Sequence, residues 1–103
     1  MTAEATFAAL AEPRRRAMLL LVRDQPCSVS EIARNFDISQ QAVSQHLKVL
    51  KHAGLVSDRP VANRRLYSLD PRGLDALRAY FERFWNHKLR AYKAAAEQGG
   101  EQS

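Results

Sequence analysis

The chain has one cysteine, Cys27, in 103 residues. A single thiol cannot close an internal disulfide, so no disulfide framework holds the fold, and the composition fits a reducing compartment. No apolar run approaches the length of a membrane-spanning helix, so no membrane partner is expected. The first residues, Met1-Thr-Ala-Glu-Ala-Thr-Phe7, have neither the basic start nor the apolar stretch of a secretory signal. A cytoplasmic location is therefore expected. Internal repeats and low-complexity tracts are absent. The four glycines build no phosphate-cradling loop. No acid and base are paired for catalysis, and no nucleophile has a partner. An enzyme is not expected, and neither a catalytic residue nor a cofactor is assigned.

What is present is positive charge. Sixteen Lys and Arg stand against eleven Asp and Glu, giving a net charge of +5 and a pI of about 9.9. Such a balance favours a polyanionic partner. The length suits one domain, expected over residues 1–97, with residues 98–103 as a frayed polar tail. A domain this small buries its surface incompletely and often gains from oligomerisation.

The most informative stretch is Ser39-Gln-Gln-Ala-Val-Ser-Gln-His-Leu-Lys-Val-Leu-Lys51. Ser39 can cap a helix N-terminus by accepting from a free backbone N–H. Val43, Leu47 and Leu50 recur at i, i+4 and i+7, the stripe of one helix face. Gln40, Gln41, Ser44, Gln45 and Lys48 fall on the other face, which holds no carboxylate. Amides, hydroxyls and a cation are the groups that meet base edges and phosphates in a major groove. A solvated amphipathic helix would have the same stripe, so its neighbours decide the reading. Gly54 follows, suited to the left-handed residue that closes a helix.

Residues 3–10 predict a short first helix with Phe7 and Leu10 on one apolar edge. Pro13 opens a second, from Glu12 to about Asp24, which buries Met18, Leu19, Leu21 and Val22. Arg14, Arg15 and Arg16 oppose the dipole at its start. They contact phosphate, or they are solvated with one arginine bridging to an acid; the sequence supports both equally. Ser28 and Glu31 form a capping-box pattern for a third helix, about Val29 to Phe36. A brief turn then leads to Ser39. A short helix, a turn and an acid-free helix make a helix-turn-helix arrangement.

Leu55–Arg59 and Arg65–Leu69 predict two short strands, with Pro60 to Arg64 as the turn between them. This hairpin carries Arg59, Arg64 and Arg65, with Asp58 as its one acid. Directly after a helix-turn-helix, a basic hairpin reads as a wing; a plain hairpin over the core is the other reading. Asp70 and Pro71 start one long last helix. Leu74, Leu77, Phe81 and Phe84 form its seam, and Trp85, Leu89 and Tyr92 a second edge. So many large apolar residues suggest a self-complementary dimer surface as well as packing over the domain. The fold class expected is mostly α with a small β-hairpin: a winged helix-turn-helix with four helices, a two-stranded wing and a long C-terminal helix.

Phe7-Ala-Ala-Leu-Ala-Glu-Pro-Arg-Arg-Arg16, Val29-Ser-Glu-Ile-Ala33, Ser39 to Val56 and Arg65-Leu-Tyr-Ser-Leu69 resemble the ArsR family of bacterial winged-helix repressors, closest to its small SdpR-like branch. The resemblance spans about Phe7 to Phe84, in order and with matching spacing. It implies a homodimer built from the first and last helices, involving Phe7, Leu10, Leu77, Phe81, Phe84 and Trp85. It also implies double-stranded operator DNA as partner, with an inverted repeat and repression by blocking polymerase. Ser39, Gln40, Gln41, Ser44, Gln45, His46 and Lys48 match the recognition helix, and Arg64 and Arg65 the wing. The family's wing usually has a glycine before these arginines; Ala62-Asn63 stand there instead, with Asn63 the residue suited to positive φ.

Metal-sensing members carry a Cys-Val-Cys pair, whose soft thiolates bind heavy metals. Here the matching positions read Ser28-Val29-Ser30, with Cys27 beside them. Asp75 and His87 lack the spacing that other members use on the last helix. No metal ligand is assigned. The leading expectation is a homodimeric DNA-binding repressor that does not sense metal. The alternatives are a winged-helix module for protein or RNA, and a thiol-responsive repressor acting through Cys27.

Overall fold

The computed structural model describes the backbone of residues 1–85 and 87–102 and the side chains of residues 1–85 and 90–97. The order of elements is α1 (Ala3–Leu10), α2 (Pro13–Asp24), α3 (Val29–Ala33), α4 (Gln40–His52), β1 (Val56–Val61), β2 (Arg64–Leu69), α5 (Pro71–Glu82) and α6 (His87–Gln102). This is a mostly helical winged helix-turn-helix, as the residue pattern predicts.

Each helix start has a local cause. Thr2, Glu12, Ser28, Ser39 and Asp70 cap α1 to α5, each accepting from a backbone N–H with its side chain. At Ser28 the reciprocal bond from Glu31 is also present, completing the capping box. At the end of α4, Gly54 takes φ 74°, as expected for its position. The Leu55 N–H then donates to the Leu50 carbonyl at 2.9 Å, and the Gly54 N–H to Lys51 at 3.0 Å. That pair of bonds is a Schellman closure. It turns the chain sharply from α4 into β1. The Gly54 carbonyl in turn accepts from the Gly73 N–H at 2.8 Å, which seats the start of α5 on this corner. A methyl group at Gly73 would lie 2.7 Å from that carbonyl oxygen, so the approach requires a residue without a side chain at Gly73.

The core is one cluster. Met18 of α2, Ile32 of α3, and Val43, Leu47 and Leu50 of α4 are fully buried with Leu55 and Val56. Burying a side chain of this size stabilises by roughly 1.5–3 kcal/mol. The helix-turn-helix thus rests on α2, and the polar face of α4 is left outward.

β1 and β2 pair antiparallel from Val56 opposite Leu69 to Val61 opposite Arg64. The strands run longer than expected, so the turn shrinks to Ala62-Asn63. Positive φ falls on Ala62, at 56°, and not on Asn63. A positive φ at the first central position alone is the type II′ pattern, which suits a right-twisted hairpin. The pairing register, not side-chain preference, selects which residue takes the strained position. At the hairpin's base, Cys27 and Tyr67 exchange two backbone hydrogen bonds, at 3.0 and 2.8 Å. A single bridge therefore ties the segment after α2 to β2.

The last helix differs from the expectation of one long element. After Glu82 the N–H groups of Arg83, Phe84 and Trp85 donate three residues back, to Tyr80, Phe81 and Glu82. This tightening ends α5, and α6 begins afresh at His87. No proline or glycine marks the place. α6 continues to Gln102, through residues expected as a tail. The expected apolar role of Leu89 and the His87 side chain lie outside the described side chains.

Candidate nucleic-acid interface

The recognition helix is positioned by its own apolar stripe. With Val43, Leu47 and Leu50 buried, geometry forces Gln40, Gln41, Ser44, Gln45 and Lys48 outward, and all five are exposed. The first turn has no acid, and its free N–H groups carry partial positive charge. Ser39 begins the face; its Oγ accepts from the Ala42 N–H at 3.0 Å and keeps its own hydrogen to donate. His46 departs from the expected pattern. It is half-buried, with Nδ1 3.4 Å from an Arg15 guanidinium nitrogen, on the side facing α1 and α2.

The wing lies beside this helix. Gln40 and Ser44 of α4, Arg64, Arg65 and Tyr67 of β2, and Ser28, Val29 and Ser30 of α3 line one open groove of about 370 Å³. The structure thus brings Gln40, Ser44, Arg64 and Arg65 of the expected site to one concave surface, whereas Ser39, Gln41, Gln45, His46 and Lys48 do not line it. Arg64 lies 3.5 Å from the Glu31 carboxylate, with both side chains solvent-accessible. Such a pair contributes little and is easily exchanged. Glu31 is held below the usual carboxylate range, chiefly by the Ser28 backbone N–H and then by its hydroxyl. Arg65 is more firmly held: its Nε donates to Asp58 Oδ2 at 2.6 Å. Asp58 Oδ1 meets Lys51 Nζ at 2.7 Å. The two bonds, Lys51 first, push the Asp58 carboxyl below its ordinary value. Reading the sequence missed this link; the lone acid of the basic hairpin was the available signal.

Of Arg14, Arg15 and Arg16, one bridges to an acid as expected, while the other two donate to carbonyls at the end of α1. Arg14 is 3.9 Å from Glu12. Arg15 donates to the carbonyls of Ala9 at 2.6 Å and Ala8 at 3.1 Å. Arg16 donates to Leu10 at 2.7 Å. Two cations that oppose the dipole of α2 thus close the C-terminus of α1, where positive charge is favoured.

The positions that carry thiolates in metal-sensing relatives hold hydroxyls with other duties. Ser28 is buried and accepts from the Glu31 N–H, and its Oγ lies 3.3 Å from that of Ser30. Among the described residues no three His, Cys, Asp or Glu side chains converge. Cys27 is half-buried with Sγ 3.3 Å from the Gln25 carbonyl. Burial, then the Glu31 charge, push its thiol up, away from a reactive thiolate.

On the far side of the molecule, α1 and α5 expose aromatic surface. Phe7 packs edge-on against Tyr80 and Phe81, at 5.1 and 5.6 Å between ring centres. Phe7, Phe81, Phe84 and Trp85 remain 39%, 49%, 54% and 45% exposed. Leu10 and Leu77 are half-buried along the same elements.

Residues 12–58 match the family profile described as bacterial regulatory protein, arsR family. The chain is 48% identical over 93 residues to the HTH-type transcriptional regulator Rv2034 of Mycobacterium tuberculosis, covering 90% of this chain and 87% of the relative. The chain belongs to the ArsR family. It is also 36% identical over 64 residues to the transcriptional repressor SdpR of Bacillus subtilis, covering 62% of this chain and 71% of the repressor. Among solved structures, a possible transcriptional regulator for arsenical resistance superposes with a TM-score of 0.71. It shares 41% identity and covers 87% of this chain and 94% of its own. The matched residues 12–58 run from the cap of α2 to Asp58 of β1 and so include the whole helix-turn-helix. The chain is an ArsR-family DNA-binding transcriptional regulator, not an enzyme. No described helix is long and apolar enough to cross a membrane.

Proposed function

We propose that the chain is a homodimeric, cytoplasmic repressor that binds an inverted-repeat operator in double-stranded DNA without sensing metal. The observation that carries this reading is the acid-free outward face of α4, set beside the wing arginines in one groove. α4 enters the major groove, where Gln40, Gln41, Ser44 and Gln45 meet base edges and Lys48 meets phosphate. Arg64 exchanges Glu31 for phosphate, and Arg65 lines the same groove. Dimerisation through the aromatic surface of α1 and α5 sets two such helices about one DNA turn apart, roughly 34–36 Å. Four exposed aromatics on contiguous elements support that contact. The hydroxyls of Ser28 and Ser30, tied to a helix cap, support a metal-independent protein. Repression by steric block follows the SdpR likeness.

The test is selection of bound sequences from random duplex DNA, followed by titration of the selected site. The expected outcome is a two-fold symmetric consensus, bound with steep salt dependence and unchanged by stoichiometric zinc, cadmium or arsenite. Failure to enrich any sequence, with binding that ignores salt, would refute the DNA reading. Strong release by one of these metals would refute the effector reading.

A further inference from the structure

Asp58 has the wrong charge for a DNA-facing hairpin, yet its carboxylate is enclosed. Its side chain is 6% exposed, whereas those of Lys51 and Arg65 are 51% and 56% exposed. The three residues belong to three elements: Lys51 to the last turn of α4, Asp58 to β1 and Arg65 to β2. Each carboxylate oxygen takes one cation, at 2.7 and 2.6 Å. Asp58 stands opposite Tyr67, and Arg65 two residues along β2, the diagonal neighbour on the same face. Among the described residues Arg65 bonds only through Nε. Its two terminal amino groups keep their donors while the side chain lines the groove with Gln40 and Ser44.

We infer that Asp58 is a positioning residue, whose carboxylate ties the wing to the end of the recognition helix and holds the Arg65 fork toward the DNA. This rests on the DNA-binding reading above. The alternative is a carboxylate that merely neutralises local charge. The two differ in sign. By charge alone, removing an acid near a polyanion strengthens binding to every duplex. By positioning, it releases Arg65 and the wing, so the fit to the preferred site is lost while attraction to any duplex is kept.

The experiment compares wild type and Asp58→Asn on the selected operator and on a random duplex, across several salt concentrations. Circular dichroism first checks that the variant is folded. Positioning predicts that operator affinity falls about tenfold, the scale of one charge-assisted hydrogen bond, while random-duplex affinity holds or rises. The operator-to-random ratio therefore falls. An unchanged ratio, or an equal fall on both duplexes, overturns the inference. Should Asp58→Asn not fold, Lys51→Met gives the answer from the other end of the link. It keeps the Asp58–Arg65 bond and removes the tie to α4. A lowered ratio with an unchanged salt slope supports the inference. An unchanged ratio with a slope reduced by about one makes Lys51 a plain phosphate contact and overturns it. If the wild type itself discriminates no sequence, it is the DNA-binding reading that fails; if it does and the variants do so equally, this inference alone fails.

Discussion

Arg15, in the first turn of α2, donates from Nε to the Ala9 carbonyl in the last turn of α1 at 2.6 Å. The same guanidinium reaches Ala8 and approaches His46 of the recognition helix. One side chain thus ties three helices. Arg15→Ala should destabilise the fold by roughly 1–3 kcal/mol, since hydrogen bonds to a charged group are lost and carbonyls freed. Urea unfolding measures this. Because the residue is tied inward, the salt slope of DNA binding should stay as in wild type. A stable variant with a shallower slope would mean that Arg15 meets phosphate instead.

The aromatic surface predicts a change of assembly. Phe81→Asp would put an unpaired charge into a dry contact, costing on the order of 3 kcal/mol or more, over a hundredfold in dissociation constant. Light scattering at micromolar concentration should give a dimer for wild type and a monomer for the variant, with helical content retained. A monomeric wild type would remove the dimer from the proposal.

Acid should loosen the link between wing and helix. Asp58 is held low by Lys51 and then Arg65, and Asp70 by Arg72. Folded values below the unfolded ones mean that their stabilisation is complete above the ordinary carboxylate range of about 4. It is lost as pH falls through the depressed folded values. The urea midpoint should therefore hold from neutral pH to about 5 and fall below about 4. Asp58→Asn should fall less steeply over that acid range. An identical acid slope in the variant would show that Asp58 is not preferentially ionised in the fold.

Ala62 holds a left-handed φ of 56° that glycine takes without strain. A non-glycine residue there costs about 1 kcal/mol or more, offset in part by the extra freedom glycine has when unfolded. Ala62→Gly should therefore be neutral to stabilising, by up to about 1 kcal/mol. A clear loss of stability in urea would contradict the strain.

Which features could be read in advance depends on the range of the interactions that cause them. The burial of Val43, Leu47 and Leu50, the caps at Ser28, Ser39 and Asp70, and the left-handed Gly54 all follow from residues within a turn of one another. Local spacing therefore carries them. Arg15 reaching Ala9 and Asp58 joining Lys51 to Arg65 depend on how elements meet, which spacing does not encode. His46 entered the expected site through the family resemblance, but it lies half-buried beside Arg15 of α2. Positive φ passed from Asn63 to Ala62 because the strands paired further than propensity suggested. The end of α5 at Glu82 has no glycine or proline to announce it.

The recognition helix and the wing should fail in different ways. Gln41 is exposed on the first turn of α4, where recognition helices meet base edges. An amide can pair with adenine through two hydrogen bonds, so Gln41→Ala should lose roughly 1–3 kcal/mol on the preferred site and blur its sequence preference. Random duplex should bind as before. Arg64 has a different chemistry. Its partner Glu31 is solvent-accessible and 3.5 Å away, a contact that phosphate readily replaces. Arg64→Ala should weaken binding to operator and random duplex alike and lower the salt slope by about one per lost phosphate contact. Glu31→Gln gives the converse. It frees Arg64 and removes a nearby negative charge, so all duplexes should bind more tightly, most at low salt. Titrations over several salt concentrations on both duplexes separate the three. Should Gln41→Ala keep full discrimination while Arg64→Ala keeps the wild-type slope, neither element docks as proposed, and the groove between them is not the DNA surface.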